Sequence, residues 1–169
     1  MKKLVFIIAI TAISLSMAGQ NSAVDDIFER YNGKEGFTSV YISSRMFSLL
    51  ARIDTEDEEF RNLVTRIKSI RILSIDSARN VGGLNFAADL VPKLNRSGFE
   101  ELMTVREQDG EVWFMIREVG GRIAELVMVT GGHSSSVVSI TGDLDLKTIA
   151  SLSGSMGIDE LENLEKVKK

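Results

Sequence analysis

Two carboxylates one residue apart, Asp143 and Asp145 in Thr141-Gly-Asp-Leu-Asp-Leu-Lys147, come closest in this sequence to a reaction centre. Such a pair can divide acid and base roles on a glycan, given a defined separation and a cleft. The same aspartates precede Leu146, Ile149 and Ala150 at helical spacing, where Asp is a common cap. Capping is the reading favoured here. Gly132-His-Ser-Ser-Ser136 has the outline of a hydrolase nucleophile elbow, but Ser136 stands where the final glycine belongs. The elbow also needs strand–turn–helix, and this stretch joins two strand-like segments, so it reads as a polar hairpin loop. Thr55-Glu-Asp-Glu-Glu59, the most acidic run, suggests a calcium loop. Phe60, Leu63, Val64 and Ile67 follow at helical period with no glycine turn between, so Thr55 and Glu58 are instead a capping box at a helix start. No catalytic residue and no metal ligand is assigned.

Composition narrows the chemistry further. The 169 residues include no Cys, one His and one Pro. Without cysteine there are no disulfides, thiolate metal sites or thiol nucleophiles, and one histidine cannot build a multi-histidine site within a chain. The glycine pairs lack both the Lys-Ser/Thr of a phosphate loop and dinucleotide spacing, so no cofactor is expected. With 44% hydrophobic and 26% charged residues, the chain has the make-up of one folded domain. Chains near this length bury about 68–70% of their unfolded surface and need no staple.

Lys2 and Lys3 precede an apolar run from Leu4 to Leu15, followed by Ser16, Ala18 and Gly19. This is the charged start, apolar stretch and small-residue exit of a signal peptide. The run is shorter than the roughly 20 apolar residues that a membrane span needs. Residues 1–19 are therefore expected to be cleaved after Ala18 or Gly19, with residues 20–169 forming a single domain. Only the uncleaved leader would touch a membrane. Loss of the two leader lysines leaves 18 basic against 24 acidic residues, a charge of −6. An acidic exported chain is not expected to bind nucleic acid, where phosphate neutralisation dominates affinity. The basic cluster Arg61, Arg66, Lys68 and Arg71 is read as the solvated rim of a helix and a strand.

Hydrophobic period supplies the scaffold for these side chains. Ser22 and Asp25 open a helix bearing Val24, Ile27, Phe28 and Tyr31, which Asn32-Gly33 stops. Phe37–Ser43 alternates as a strand, a helix with Met46, Phe47, Leu49 and Leu50 follows, and Ile70–Ile75 is a second strand. Leu84, Ala87, Leu90, Val91 and Leu94 trace a helix closed by Gly98, which Pro92 should kink or shorten. From Phe99 to Thr141 the period is 2, giving strands near 99–107, 112–119, 122–130 and 136–141. Asp109-Gly110 and Gly120-Gly121 are hairpin turns within this run. Two short helices end the chain, one with Leu146, Ile149 and Ala150, one with Ile158, Leu161 and Leu164. The expected fold class is α+β: a largely antiparallel sheet with a C-terminal four-strand meander, packed by about five to six helices.

If both turns are two-residue loops, the strand register follows. Val105, Phe114 and Val127 then share one side with Val112 and Val129, the expected core. The other side carries Trp113, Met115, Leu126 and Met128, with Arg106 and Arg117 at its margins. A solvated face should be more polar than this. Either a second helical layer covers it, or these six residues are a recognition surface for an apolar or peptide-like partner.

Several blocks are familiar as an ordered set. They are Tyr41-Ile-Ser-Ser-Arg-Met46, Ile67-Lys-Ser-Ile-Arg-Ile-Leu-Ser74, Phe99-Glu-Glu-Leu-Met103, Glu125-Leu-Val-Met-Val-Thr-Gly-Gly132, Ile140-Thr-Gly-Asp-Leu-Asp-Leu-Lys147 and Leu152-Ser-Gly-Ser-Met156. From about Asp26 to Leu164 the chain resembles the domain-of-unknown-function family 4252, small exported proteins chiefly of the Bacteroidetes. The resemblance implies an envelope or secreted protein and carries over no activity and no site residue. Related proteins often look like lipoproteins. This chain departs from them, because it has no Cys to carry a lipid, and is expected to be soluble in the periplasm or released. Asp76-Ser-Ala78 resembles the O-glycosylation acceptor motif of those bacteria, with Ser77 as acceptor.

The expected function is thus that of an exported, non-enzymatic protein with a binding or structural role in the cell envelope. Its partner would be an envelope protein, a peptide or an apolar ligand. A carboxylate-dependent, glycan-acting enzyme using Asp143 and Asp145 is the alternative.

Overall fold

Apolar residues on both sides of a single antiparallel sheet organise this chain. The computed structural model describes residues 22–52, 58–75, 83–132, 135–145 and 149. In chain order the elements are α1 (Ala23–Tyr31), β1 (Phe37–Ser43), α2 (Ser44–Leu50), α3 (Glu58–Arg66) and β2 (Ile67–Ile75). They continue with α4 (Phe86–Arg96), β3 (Glu100–Arg106), β4 (Gly110–Val119), β5 (Arg122–Gly132) and β6 (Ser136–Leu144). The strand order is β1-β2-β6-β5-β4-β3, with every neighbouring pair antiparallel. Strands β3 to β6 therefore follow one another through the sheet, and β2 extends it by docking against β6. Several strands run longer than their period suggested, and β2 begins at Ile67, which had been expected to end the preceding helix.

Local signals hold the helices in place. At the start of α1, Ser22 Oγ accepts from the Asp25 N–H at 3.1 Å and Asp25 Oδ2 accepts from the Ser22 N–H at 3.3 Å, a reciprocal capping box. Asn85 caps α4 by accepting from the Ala88 N–H at 3.1 Å. Past the other end, Gly98 takes φ +79° and the Phe99 N–H reaches back to the Leu94 carbonyl at 3.1 Å. That bond defines a Schellman stop, and buried Phe99 joins Leu94 in the same core. Pro92 does not shorten α4, which runs eleven residues with Pro92 exposed.

Four helices are present among the described residues, fewer than the five to six expected. Ile149 is helical and its N–H donates to the Asp145 carbonyl at 3.0 Å, but its neighbours 146–148 and 150 lie outside the described residues. The helix expected around Ile158, Leu161 and Leu164 lies outside them as well, as do the leader, Thr55, Ser77 and His133.

Each sheet face carries its own helical layer. Helices α1 and α4 pack Val24, Ile27, Phe28, Leu90 and Leu94 onto Leu73, Met115, Val127, Val129 and Val137. Phe47 and Val64, from α2 and α3, pack with Ile123, Leu126, Val138 and Ile140 on the other face. A second helical layer, the first of the two alternatives, accounts for the excess of apolar residues.

The register differs from the expected one at both hairpins. The Gly120-Gly121 turn forms as foreseen, with φ +62° and +75°, values that favour glycine. Val119 pairs with Arg122 and Glu118 with Ile123, but Arg117 then pairs with Glu125. Ala124 is thus an extra residue on β5, and one extra residue moves every later side chain to the opposite face. Trp113 consequently pairs with Val129, Phe114 with Met128 and Met115 with Val127. At the other hairpin, Arg106 pairs with Glu111 and the Glu107 N–H donates to the Gly110 carbonyl at 2.9 Å, leaving Gln108-Asp109 as the turn. Gly110 starts a strand instead, because a Cβ there would lie 2.7 Å from the Gly131 carbonyl oxygen. Close backbone approach, not turn conformation, requires that glycine.

Candidate functional site

The α1 face of the sheet changes from apolar to polar along its strands. Leu73, Val137 and Val129 form one cross-strand row, and Ser69, Thr141, Glu125 and Arg117 form another, with Arg71 and Ser139 between them. Glu125 is 2% exposed, a carboxylate inside the fold. Burying such a group without partners costs several kcal/mol, roughly, so its surroundings must satisfy it. Arg117 Nη2 donates to Glu125 Oε2 at 2.9 Å, Ser139 Oγ donates to Oε1 at 2.8 Å, and Arg71 Nη2 stands 3.8 Å from Oε1.

The lattice continues up to α1. Arg71 Nη1 donates to Asp25 Oδ1 at 2.6 Å, so the residue that caps α1 also ties it to β2. Burial raises the Asp25 pKa, but hydrogen bonds from Arg71 and Ser22, with the Arg71 charge, outweigh it and hold the carboxyl below its ordinary 3.8. The guanidinium of Arg71 lies 4.8 Å from the Phe28 ring centre, and that of Arg117 lies 5.4 Å from the Phe99 ring centre. Both cations are therefore covered on one side by aromatic carbon, a favourable placement. Next to this group, the Ser69 and Thr141 hydroxyls share a hydrogen bond of 2.7 Å.

Two arginines against two carboxylates leave this cluster balanced in formal charge. Ser139 is completely buried and its hydroxyl is committed to Glu125, so it cannot present a nucleophile to solvent. Hydrogen bonds join α1 to β2 and Glu125 of β5 to β4 and β6, and the 3.8 Å ion pair of Arg71 with Glu125 connects the two groups. Buried ionic groups of this kind can fix which of several similar registers a sheet adopts.

The candidate carboxylates do not act as a pair. Arg122 Nε donates to Asp143 Oδ1 at 2.7 Å, while Arg66 Nη1 pairs with Asp145 Oδ2. One arginine comes from β5 and the other from the last turn of α3. Ser135 and Ser136 form local loop bonds: Ser135 Oγ donates to the Gly132 carbonyl at 3.3 Å, and the Ser136 N–H donates to Thr130 Oγ1 at 2.7 Å. The basic cluster is also divided. Arg71 turns inward to Asp25 and leaves the solvated rim, whereas Arg66 pairs with Asp145 and keeps 39% of its side chain exposed.

Of the six residues expected on one surface, Trp113, Met115, Arg106 and Arg117 belong to the α1 face, and Leu126 and Met128 to the opposite face. Met115 and Leu126 are buried. Arg106 is exposed and lies 5.0 Å over the Trp113 ring, whose buried Nε1 has no hydrogen-bond partner among the described residues. Sequence reasoning missed the Asp25–Arg71–Glu125–Arg117 lattice. Its signal was Glu125 itself, a lone charge in the otherwise apolar stretch Ile123–Val129.

Residues 31–152 match the family described as Domain of unknown function (DUF4252). The chain belongs to the DUF4252 family. Arg71, Arg117, Glu125 and Ser139 lie within the DUF4252 match, whereas Ser22 and Asp25 precede it. No curated protein and no solved structure matches the chain.

Proposed function

We propose that this DUF4252 protein is an exported, non-catalytic domain with a binding or structural role in the cell envelope. The state of its carboxylates carries the non-catalytic reading. Asp143 and Asp145, which a glycan-acting mechanism would use, are each bound by a different arginine. Acid–base catalysis needs two carboxylates whose surroundings drive their proton affinities apart around a shared cleft. Glu125 is enclosed with its own cations. The leader pattern supports export, and the lack of cysteine supports a soluble protein over a lipid-anchored one. In this reading, Arg106 and the Trp113 ring beneath it form the part of the foreseen partner surface that a peptide or apolar ligand would meet first.

Fractionation of the native host tests export. The protein should be recovered from envelope or medium at a mass lacking residues 1–18 or 1–19, and full-length protein in the cytoplasm overturns export. A polysaccharide panel tests the second part, with no turnover expected. Hydrolysis that disappears in an Asp143→Asn, Asp145→Asn variant would establish the enzyme instead.

A further inference from the structure

Strands β1 and β3 are the two edges of the sheet, and they are built differently. β3 carries Glu100, Glu101 and Arg106 and breaks register between Glu101 and Met103. Charges and irregularities of that kind prevent another strand from adding to an edge. β1 has neither. Its sequence, Phe-Thr-Ser-Val-Tyr-Ile-Ser, includes no charge and no proline, and it pairs with β2 in unbroken register from Phe37–Ile75 to Ser43–Ser69. Residues Thr38 to Tyr41 are exposed in succession, so the middle of β1 lies outside the helical layers on both faces. Val40 is 39% and Tyr41 67% exposed, and Met46 and Leu49 extend this apolar surface onto α2.

We propose that β1 pairs antiparallel with β1 of a second copy, about a two-fold axis through Val40, joining two sheets into one. In that register Val40 faces Val40 of the partner subunit, and Thr38 faces Ile42 of the partner subunit. On the other face Ser39 meets Tyr41 of the partner subunit. Cross-strand pairs rich in β-branched and aromatic residues stabilise a sheet, and no like charges meet within the strand. Beyond its ends, the same symmetry brings Glu35 toward Arg45 of the partner subunit, and Arg45 toward Glu35 of the partner subunit. Charge complementarity therefore occurs twice, as an isologous interface requires. The pairing does not depend on export or on the absence of catalysis, so its failure would leave that reading untouched.

Sedimentation equilibrium of the protein as processed by its host, combined with hydrogen exchange, tests the pairing. We expect twice the chain mass, with the alternate β1 amides that point away from β2 gaining protection as concentration rises. Val40→Lys places like charges opposite each other at the axis and should weaken the dimer by about tenfold or more while the thermal transition is kept. Arg45→Glu should weaken it too, and adding Glu35→Lys should restore it. A monomer at every concentration overturns the proposal, including one whose β1 is protected only by an added extended peptide. So does a dimer whose β1 amides exchange freely, or a Val40→Lys dimer of unchanged strength. Should Val40→Lys fail to fold, the exchange measurement on the unaltered protein decides alone.

Discussion

Arg117 on β4 donates to Glu125 on β5 at 2.9 Å, from the paired position where the register of these strands changes. Were Ala124 paired in a regular strand and not bulged, Glu125 would face the same way as Ile123, into the core beneath α2 and α3. The bulge turns it toward Arg117, Arg71 and Ser139. Replacing Arg117 with Met keeps an unbranched apolar stem but removes the guanidinium, the closest cation of the buried carboxylate. We expect a loss of about 2–3 kcal/mol in urea unfolding, and about 1 kcal/mol for Glu125→Gln, which still accepts from Ser139. A loss within about 0.5 kcal/mol for Arg117→Met, the range of ordinary surface changes, would show that the pair does not hold the register.

Asp25 gives the fold a pH dependence of predictable sign. Its folded pKa lies below the ordinary 3.8, so its contribution is complete above the unfolded value and disappears as pH falls through the folded one. Asn caps a helix about as well as Asp but cannot titrate. The stability difference between the unaltered protein and Asp25→Asn should therefore be larger at neutral pH than well below the ordinary carboxylate range. Equal differences at both ends would mean that Arg71 does not hold the carboxylate.

Gly142 tests how closely α3 and β2 approach β6. A Cβ at this position would collide with the Arg66 carbonyl oxygen and lie 3.2 Å from the Ile67 Cα. Backbone atoms cannot move aside as a flexible side chain can. Gly142→Ala should cost about 1–3 kcal/mol, visible as a lowered thermal midpoint. An unchanged midpoint would place the α3–β2 junction further from β6.

Trp113 and Met128 test the corrected register. One packs toward α1 and α4, the other toward α2 and α3. Trp113→Leu and Met128→Ala should each destabilise the protein, and their costs should add within about 0.3–0.5 kcal/mol, as for independent sites. Clear coupling between them would return both side chains to one face.

Much of the fold was legible because it rests on contacts near in sequence. The capping box of Ser22 and Asp25, the Gly98 stop of α4 and the Gly120-Gly121 turn are each set within a few residues. The alternation from Phe99 onward similarly gave β3 to β6 as successive strands. Asp109-Gly110 misled because a glycine required for close approach to Gly131 looks, in sequence, like a glycine required for a turn.

By itself, then, the sequence determined an α+β fold, the absence of thiol chemistry, and the places where helices start and stop. Only the tertiary structure decided which way the strand residues face. A single inserted residue reverses that choice, and local propensity barely registers it. The reversal is favoured by partners far apart in the chain: Arg71 from β2, Ser139 from β6 and Arg117 from β4 gather on Glu125. Asp143 and Asp145 show the same dependence on distance. Two positions apart in sequence, they pair with different arginines, Arg122 and Arg66, whose positions only the assembled sheet and α3 could supply.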